Sequence, residues 1–207
     1  MYQFARTGRL TGQGSLEWAQ KIGARAAKVM EHDNTLYAST LSPGFGTVAW
    51  VSHWDDLASF GESAVKLAGD EKYMALAAEG AEHVGPLDDR LSSILWASAA
   101  VAEPPAIVSV VRSLLRAGSL ARGVLAGIEI AMKFHEITGL NAAFQRDVTG
   151  DYGGVAWLSA MDGLADVDAA EIKMAADVSF VELLDSSVGC YSDGPGAATA
   201  AIYRRVG

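Results

Sequence analysis

The chain has 207 residues, half of them hydrophobic and a fifth charged, with a net charge of −9. That is enough for one large or two small domains with an ample apolar core. Residues 1–104 hold 8 basic and 13 acidic side chains (−5) and residues 105–207 hold 8 and 12 (−4). No basic patch of the kind that phosphate backbones or anionic lipid surfaces require is present, so neither a nucleic acid nor a membrane is an expected partner. The single cysteine, Cys190, excludes an intrachain disulfide and a cysteine metal cage. No run reaches ~18 apolar residues, and Met1 to Arg6 lack the apolar stretch of a signal peptide. The expectation is a cytoplasmic protein that needs no metal or cofactor.

In chain order, residues 2–10 read as a strand. Ser15 stands where an N-cap would, before a helix over 16–31 with Trp18, Ile22, Ala26 and Met30 at helical spacing. Leu36 to Leu41 and Thr47 to His53 are strands, the latter rich in β-branched and aromatic residues. Asp55 and Asp56 cap a helix near 56–68, Gly69 breaks it, and Asp70 starts a shorter one to about Glu79. Arg90 to Ala97 form a fourth strand. Ala99 to Pro105, with two prolines, is the linker candidate. The same programme then restarts: a strand over Ile107 to Leu115, and a helix after Ser119 to about Glu136. Strands follow at Asn141 to Arg146 and Val155 to Ser159. Helices begin at Asp162 and Asp177, and a closing strand runs from Ala197 to Arg205.

The restart is a duplication. Val48-Ala49-Trp50 through Asp55 and Leu57 returns as Val155-Ala156-Trp157 through Asp162 and Leu164, shifted by 107 positions. The two serines at helix starts are 104 apart, and Gly85-Pro86 returns at Gly194-Pro195 with a shift of 109. The drift in offset reads as small loop insertions. Each half has the order β-α-β-β-α-β, with its second helix broken in two, which is the ferredoxin-like order. Such a unit leaves one sheet face bare, and two units bury those faces together. The expected fold is α+β: a first ferredoxin-like repeat over 1–103 and a second over 104–207, packed sheet to sheet as a pseudo-dimeric α/β barrel. The chain is then a monomer with an internal pseudo-dimer, or associates further as a homo-oligomer.

The repeated Trp-bearing third strand running into an acidic helix start resembles the dimeric α/β-barrel superfamily, in the manner of NIPSNAP-like and antibiotic-biosynthesis-monooxygenase-like proteins. The resemblance covers nearly the whole chain, twice. It implies a pocket between each sheet and its own helices. It also implies a function drawn from a wide set: cofactor-free oxygenases, cyclases, isomerases, haem-binding enzymes and non-catalytic modules.

Two histidines are candidates for chemistry. His53 ends the third strand of the first repeat, where the second repeat has Ala160, and His135 lies near the apolar face of its helix. Either could be a general base or a haem ligand; the competing use is a polar strand end for His53 and a carbonyl-bonded core histidine for His135. His32 and His83 read as solvent-exposed. Trp50, Trp54, Phe45, Trp157 and Tyr152 could line a pocket for a small apolar or aromatic molecule, or simply fill sheet faces. Strand alternation places Trp50 and His53 on opposite faces. Gly44-Phe45-Gly46 leads into a strand and so does not make a phosphate loop. Strand arginines, Arg6 and Arg112 among them, could anchor an acidic ligand, or serve as edge charges. The functional expectation is a protein that binds or transforms a small apolar or aromatic molecule, with cofactor-free oxygenase or cyclase chemistry as the sharper form. The alternatives are a haem protein using His53 or His135, or a structural module.

Overall fold

A computed structural model describes residues 1–41, 46–99, 103–193 and 197–206. The elements are β1 (Tyr2–Arg9), α1 (Ser15–Met30), β2 (Thr35–Leu41), β3 (Thr47–Trp54), α2 (Leu57–Ala68), α3 (Glu71–His83) and β4 (Asp88–Ala97). They recur as β5 (Ile107–Leu114), α4 (Leu120–Thr138), β6 (Asn141–Asp147), β7 (Gly154–Met161), α5 (Leu164–Ala176), α6 (Val178–Ser187) and β8 (Ala198–Arg205). The strand order is β1-β3-β2-β8-β5-β7-β6-β4, that of a closed barrel. The fold class is therefore α+β, two ferredoxin-like repeats with the strand order of a pseudo-dimeric α/β barrel. The contacts divide the chain into two compact units, one of residues 1–91 with 204–207 and one of residues 92–203. Part of the 99–105 segment, the turn at Gly44-Phe45 and the Gly194-Pro195 pair lie outside the described residues.

In the first unit β3 is the central strand, antiparallel to β1 and β2, and Trp50 stands between Arg6 and Leu36. Its core joins Trp18, Ala19, Leu36, Val48, Trp50 and Val84. In the second unit β7 is central between β5 and β6, and Phe144 lies opposite Trp157. There the core joins Leu115, Ala131, Phe144 and Val155, with Trp157 and Tyr191 packed against it. Phe144 reaches full burial because α4 carries Gly127 above it. A Cβ at 127 would come within 2.3 Å of the ring, so any larger residue would force the helix off the sheet.

Helix starts follow side-chain chemistry at three of the expected aspartates. Asp56 accepts from Ser59 N–H at 2.8 Å, Asp70 from Tyr73 N–H at 2.7 Å and Asp177 from Phe180 N–H at 2.8 Å. Others correct the sequence reading. Gly14, in the left-handed region at φ 80°, caps α1 in place of Ser15, whose hydroxyl accepts from Gly12 N–H within the turn. Gly163 caps α5 in place of Asp162, and the Asp166 carboxylate folds back onto the N–H groups of Asp162 and Gly163. Among the described residues no helix is long and apolar enough to cross a membrane.

Asp70 also holds α3 to α1, accepting from Arg25 Nε at 2.8 Å and from its Nη2. Those bonds, first, and the Tyr73 amide, second, hold the Asp70 carboxyl below its ordinary value of 3.8. A carboxyl depressed in the folded state contributes stability that is present above the unfolded pKa and lost as pH falls through the folded one. Asp70→Asn keeps a capping oxygen and loses the ion pair. Its melting temperature is expected to fall below wild type at pH 7, with the gap closing as the buffer is taken below pH 3.8. A gap that persists in acid would mean that the cap, not the charge, is what matters.

Candidate functional site

The first unit encloses a cleft of about 760 Å³ between its sheet and its three helices. Period-two alternation along β3 turns Trp50, Ser52 and Trp54 toward it, and the same alternation on β1 contributes Phe4 and Arg6. On α3, Tyr73, Ala77, Gly80 and Ala81 recur at helical spacing and form the facing wall. The walls are held at this separation by contacts that need small residues. A Cβ on Gly23 would lie 3.0 Å from Trp50, and one on Gly80 would lie 3.1 Å from Trp18.

The aromatic rings form two linked runs. Trp18 meets Trp50 edge-on at 5.9 Å and stacks on His83 at 5.4 Å. Phe4, Phe60 and Trp54 follow one another at 5.2 and 5.7 Å, and His32 stacks on the outer side of Trp54 at 3.9 Å. The indole N–H groups find partners that fix each ring: Trp50 donates to Ala19 O, Trp18 to Leu76 O and Trp54 to Ser52 Oγ, each at 2.9 Å. With both χ angles packed and the N–H satisfied, these rings are a rigid apolar lining.

At one end of the cleft stands a polar cluster. Arg6 binds Asp89 side-on, Nε to Oδ1 at 2.7 Å and Nη2 to Oδ2 at 2.6 Å, and its Nη1 lies 3.4 Å from the Tyr73 hydroxyl. The guanidinium also lies 5.9 Å from the Phe4 ring centroid. The Asp89 bonds raise the Arg6 pKa further above its ordinary value. Arg6 and Asp89 are 35 % and 43 % exposed, so the pair sits at the solvent end. They are the only charged residues among the described residues that line the cleft.

The sequence-predicted candidates separate sharply. Trp50 and Trp54 line the cleft. His53 does not: it lies between buried Ser52 and Trp54 on the strand, and the pleat sends it to the other face, where it is exposed. His32 and His83, expected in solvent, are half-buried and stacked on tryptophans, and His32 Nε2 also bonds His53 O. His135 lies in the second unit with Nδ1 bonded to Leu140 O at 2.8 Å, near Trp96, as a carbonyl-held structural histidine. Tyr152 does not line the cleft. It sits in the turn before β7 and is 94 % exposed. Phe45 lies outside the described residues. Among the described residues no group of three metal-ligating side chains occurs.

Trp157, the counterpart of Trp50, is partly buried and packs against the second unit's core. The backbone bridges identify the replacements. Leu10 bridges Val84 in the first unit, and Leu115 bridges Tyr191 in the second. Thr11 N–H to His83 O and Gly85 N–H to Arg9 O in the first match Arg116 N–H to Cys190 O and Ser192 N–H to Leu114 O in the second. So Tyr191 stands where Val84 does. Across the central tryptophans, Phe144 stands where Leu36 does. Tyr191 sends its hydroxyl to Gly123 O at 2.9 Å and packs on Trp157 at 5.3 Å, while Phe144 packs on Trp157 at 5.3 Å from the other side. At the 104-residue offset of Ser15 and Ser119, Gly123 matches Ala19, the carbonyl that Trp50 uses. Tyr191 occupies it, and Trp157 donates one helical turn further on, to Gly127 O.

Sequence alone does not point to Asp89, Tyr73 or Phe60, and it leaves Arg6 between ligand anchor and edge charge. The available signal was the α3 stripe through Tyr73, Ala77, Gly80 and Ala81, together with Phe4 and Arg6 at a spacing of two.

No protein-family model matches the chain, and no curated protein matches it significantly. Solved structures do. A protein from Fusobacterium nucleatum provisionally described as a monooxygenase is similar with a TM-score of 0.71 at 6 % identity, over 100 % of this chain and 92 % of its own. An anthrone oxidase-like protein gives 0.71 at 10 % identity, over 100 % and 91 %. A protein described as a major regulator of staphylococcal pathogenesis gives 0.62 at 7 %, over 100 % of both chains. At such identities the likeness is one of fold, and it bears out the dimeric α/β-barrel resemblance. An oxidase-like protein and a regulator share this fold, so fold alone does not choose a function.

Proposed function

We propose that the cleft of the first unit binds a planar aromatic molecule, and that the chain acts on it as an oxygenase without a bound cofactor. The observation that carries the reading is the cleft itself. Its volume of about 760 Å³ is walled by rigid Trp, Phe and Tyr rings with very few polar groups, the form expected of a small-molecule site. Flat rings favour offset or edge contacts with a flat ligand. The monooxygenase-like and anthrone oxidase-like fold neighbours support the finer reading.

The chemistry asks little of a protein. A CH₂ group flanked by two aromatic rings, beside a carbonyl-conjugated system, is a carbon acid. Loss of its proton gives a carbanion that passes electrons to O₂, and the balance is R₂CH₂ + O₂ → R₂C=O + H₂O. What the chain supplies is orientation of the ring system and exclusion of water.

The test uses the three tryptophans of the cleft as reporters. Titration with anthrone is expected to quench their fluorescence saturably and raise the melting temperature. In air the protein is expected to accelerate oxygen uptake and anthraquinone formation. Quenching without faster oxygen uptake would leave a binding protein and remove the oxygenase. No quenching and no melting shift with anthrone would remove both.

A further inference from the structure

We infer that the Arg6–Asp89–Tyr73 cluster selects for an uncharged ligand carrying a phenolic hydroxyl, and against a carboxylate. The inference rests on the proposed reading of the cleft as an aromatic site, and names the polar group that its ligand bears.

The first step is charge. A lone arginine at the end of an apolar cleft would be an anion site. Arg6 is not alone: two of its nitrogens are held side-on by Asp89 at 2.7 and 2.6 Å. Arg6 and Asp89 are the only charged lining residues among those described, so the lining is neutral in sum. A carboxylate reaching this solvent end of the cleft would meet the Asp89 carboxylate as well as the guanidinium, so the repulsion of the one offsets the attraction of the other.

The second step is the pattern of donors and acceptors. The Tyr73 oxygen faces Arg6 Nη1 at 3.4 Å and can accept from it, which leaves the Tyr73 O–H free to donate. Each Asp89 oxygen takes one bond from Arg6 and retains a lone pair. The cluster therefore presents one donor and one acceptor side by side. A phenol is the complement, since its hydrogen goes to Asp89 and its oxygen accepts from Tyr73. A bare hydrocarbon meets neither group. The Asp89 bond is charge-assisted and is the stronger of the two.

The experiment is a calorimetric titration of the intact chain at pH 7 with naphthalene, 2-naphthol and 2-naphthoate. The three share one ring system and differ only in the polar group. The expected result is that 2-naphthol binds at least about tenfold more tightly than naphthalene, and that 2-naphthoate binds no better than naphthalene. In Asp89→Asn the preference is expected to reverse: the ratio of 2-naphthol to naphthalene affinity shrinks, and 2-naphthoate gains because Arg6 is no longer neutralised. In Tyr73→Phe the same ratio shrinks without any gain for 2-naphthoate, which a merely structural role for these residues would not produce. Equal wild-type affinities for 2-naphthol and naphthalene, or 2-naphthoate as the tightest ligand, would overturn the selectivity and leave the aromatic site standing. If none of the three binds, the aromatic reading fails and the selectivity falls with it.

Discussion

Trp50→Ala is expected to destabilise the protein by about 3–5 kcal/mol, the range for deleting a large buried ring. The indole is 6 % exposed, lies edge-on to Trp18 at 5.9 Å, and donates to Ala19 O at 2.9 Å. It is also the ring on which α1 rests, since a Cβ on Gly23 would lie only 3.0 Å from it. Alanine removes that support on the side already open to the cleft, so the void joins an existing space and α1 has nothing to settle against. Measured against a total of about 5–15 kcal/mol for a folded domain, the loss shifts the urea midpoint by a large fraction of its value. Trp50→Phe keeps a six-membered ring in the core and loses the pyrrole edge with its N–H, the edge that faces Gly23. The carbonyl it leaves is a helix carbonyl with intrahelical bonding available, so a much smaller loss is expected. Equal losses for the two variants would mean that the pyrrole edge with its N–H, not the bulk of the ring, holds α1.

The repeat was legible because it is written in residues that pack. Val48-Ala49-Trp50 and Val155-Ala156-Trp157 lie on central strands with side chains buried on both faces, which a run of apolar residues reports, while strand alternation assigns each residue its face. The same alternation correctly separated Trp50 from His53. The site was less legible because its polar members come from three distant segments. Arg6, Tyr73 and Asp89 meet only when β1, α3 and the start of β4 are in place, and nothing local marks Asp89 as different from Asp88. The histidines misled for the reason that made them conspicuous. His32 and His83 stand at a helix end and near a turn, which reads as solvent, yet each lies flat on a tryptophan from another element. Tyr152 misled in the opposite direction, an aromatic residue placed at a turn and left in water.

Val84→Tyr is expected to abolish aromatic binding while leaving the fold intact. The second unit has already performed this substitution. Tyr191 occupies the backbone position of Val84, and its ring, with Phe144, takes up the space beside Trp157. In the first unit Val84 is 7 % exposed and lines the cleft. A larger side chain there cannot turn toward β1, because Val84 Cγ2 already lies 2.4 Å from where a Cβ on Gly8 would be. It must point into the cleft, as Tyr191 points toward α4. The Ala19 carbonyl, counterpart of the Gly123 carbonyl that Tyr191 uses, already accepts from Trp50 Nε1 and from its own helix, so the new hydroxyl takes it by displacing the indole, as in the second unit, where Trp157 donates to Gly127 O instead. A ring entering an existing space fills it with little strain, so the melting temperature is expected to stay within a few degrees of wild type. Anthrone quenching of the cleft tryptophans is expected to fall by more than about tenfold, since a ring-sized volume and its contacts are withdrawn from the ligand. The reciprocal variant, Tyr191→Val, opens a void under Trp157 and frees the Gly123 carbonyl, and is expected to lose about 2–4 kcal/mol. If Val84→Tyr binds anthrone as well as wild type, the ligand does not enter between β3 and α3. The difference between the two repeats would then be one of packing alone, and the open cleft would not be the reason the first repeat kept a valine where the second has a tyrosine.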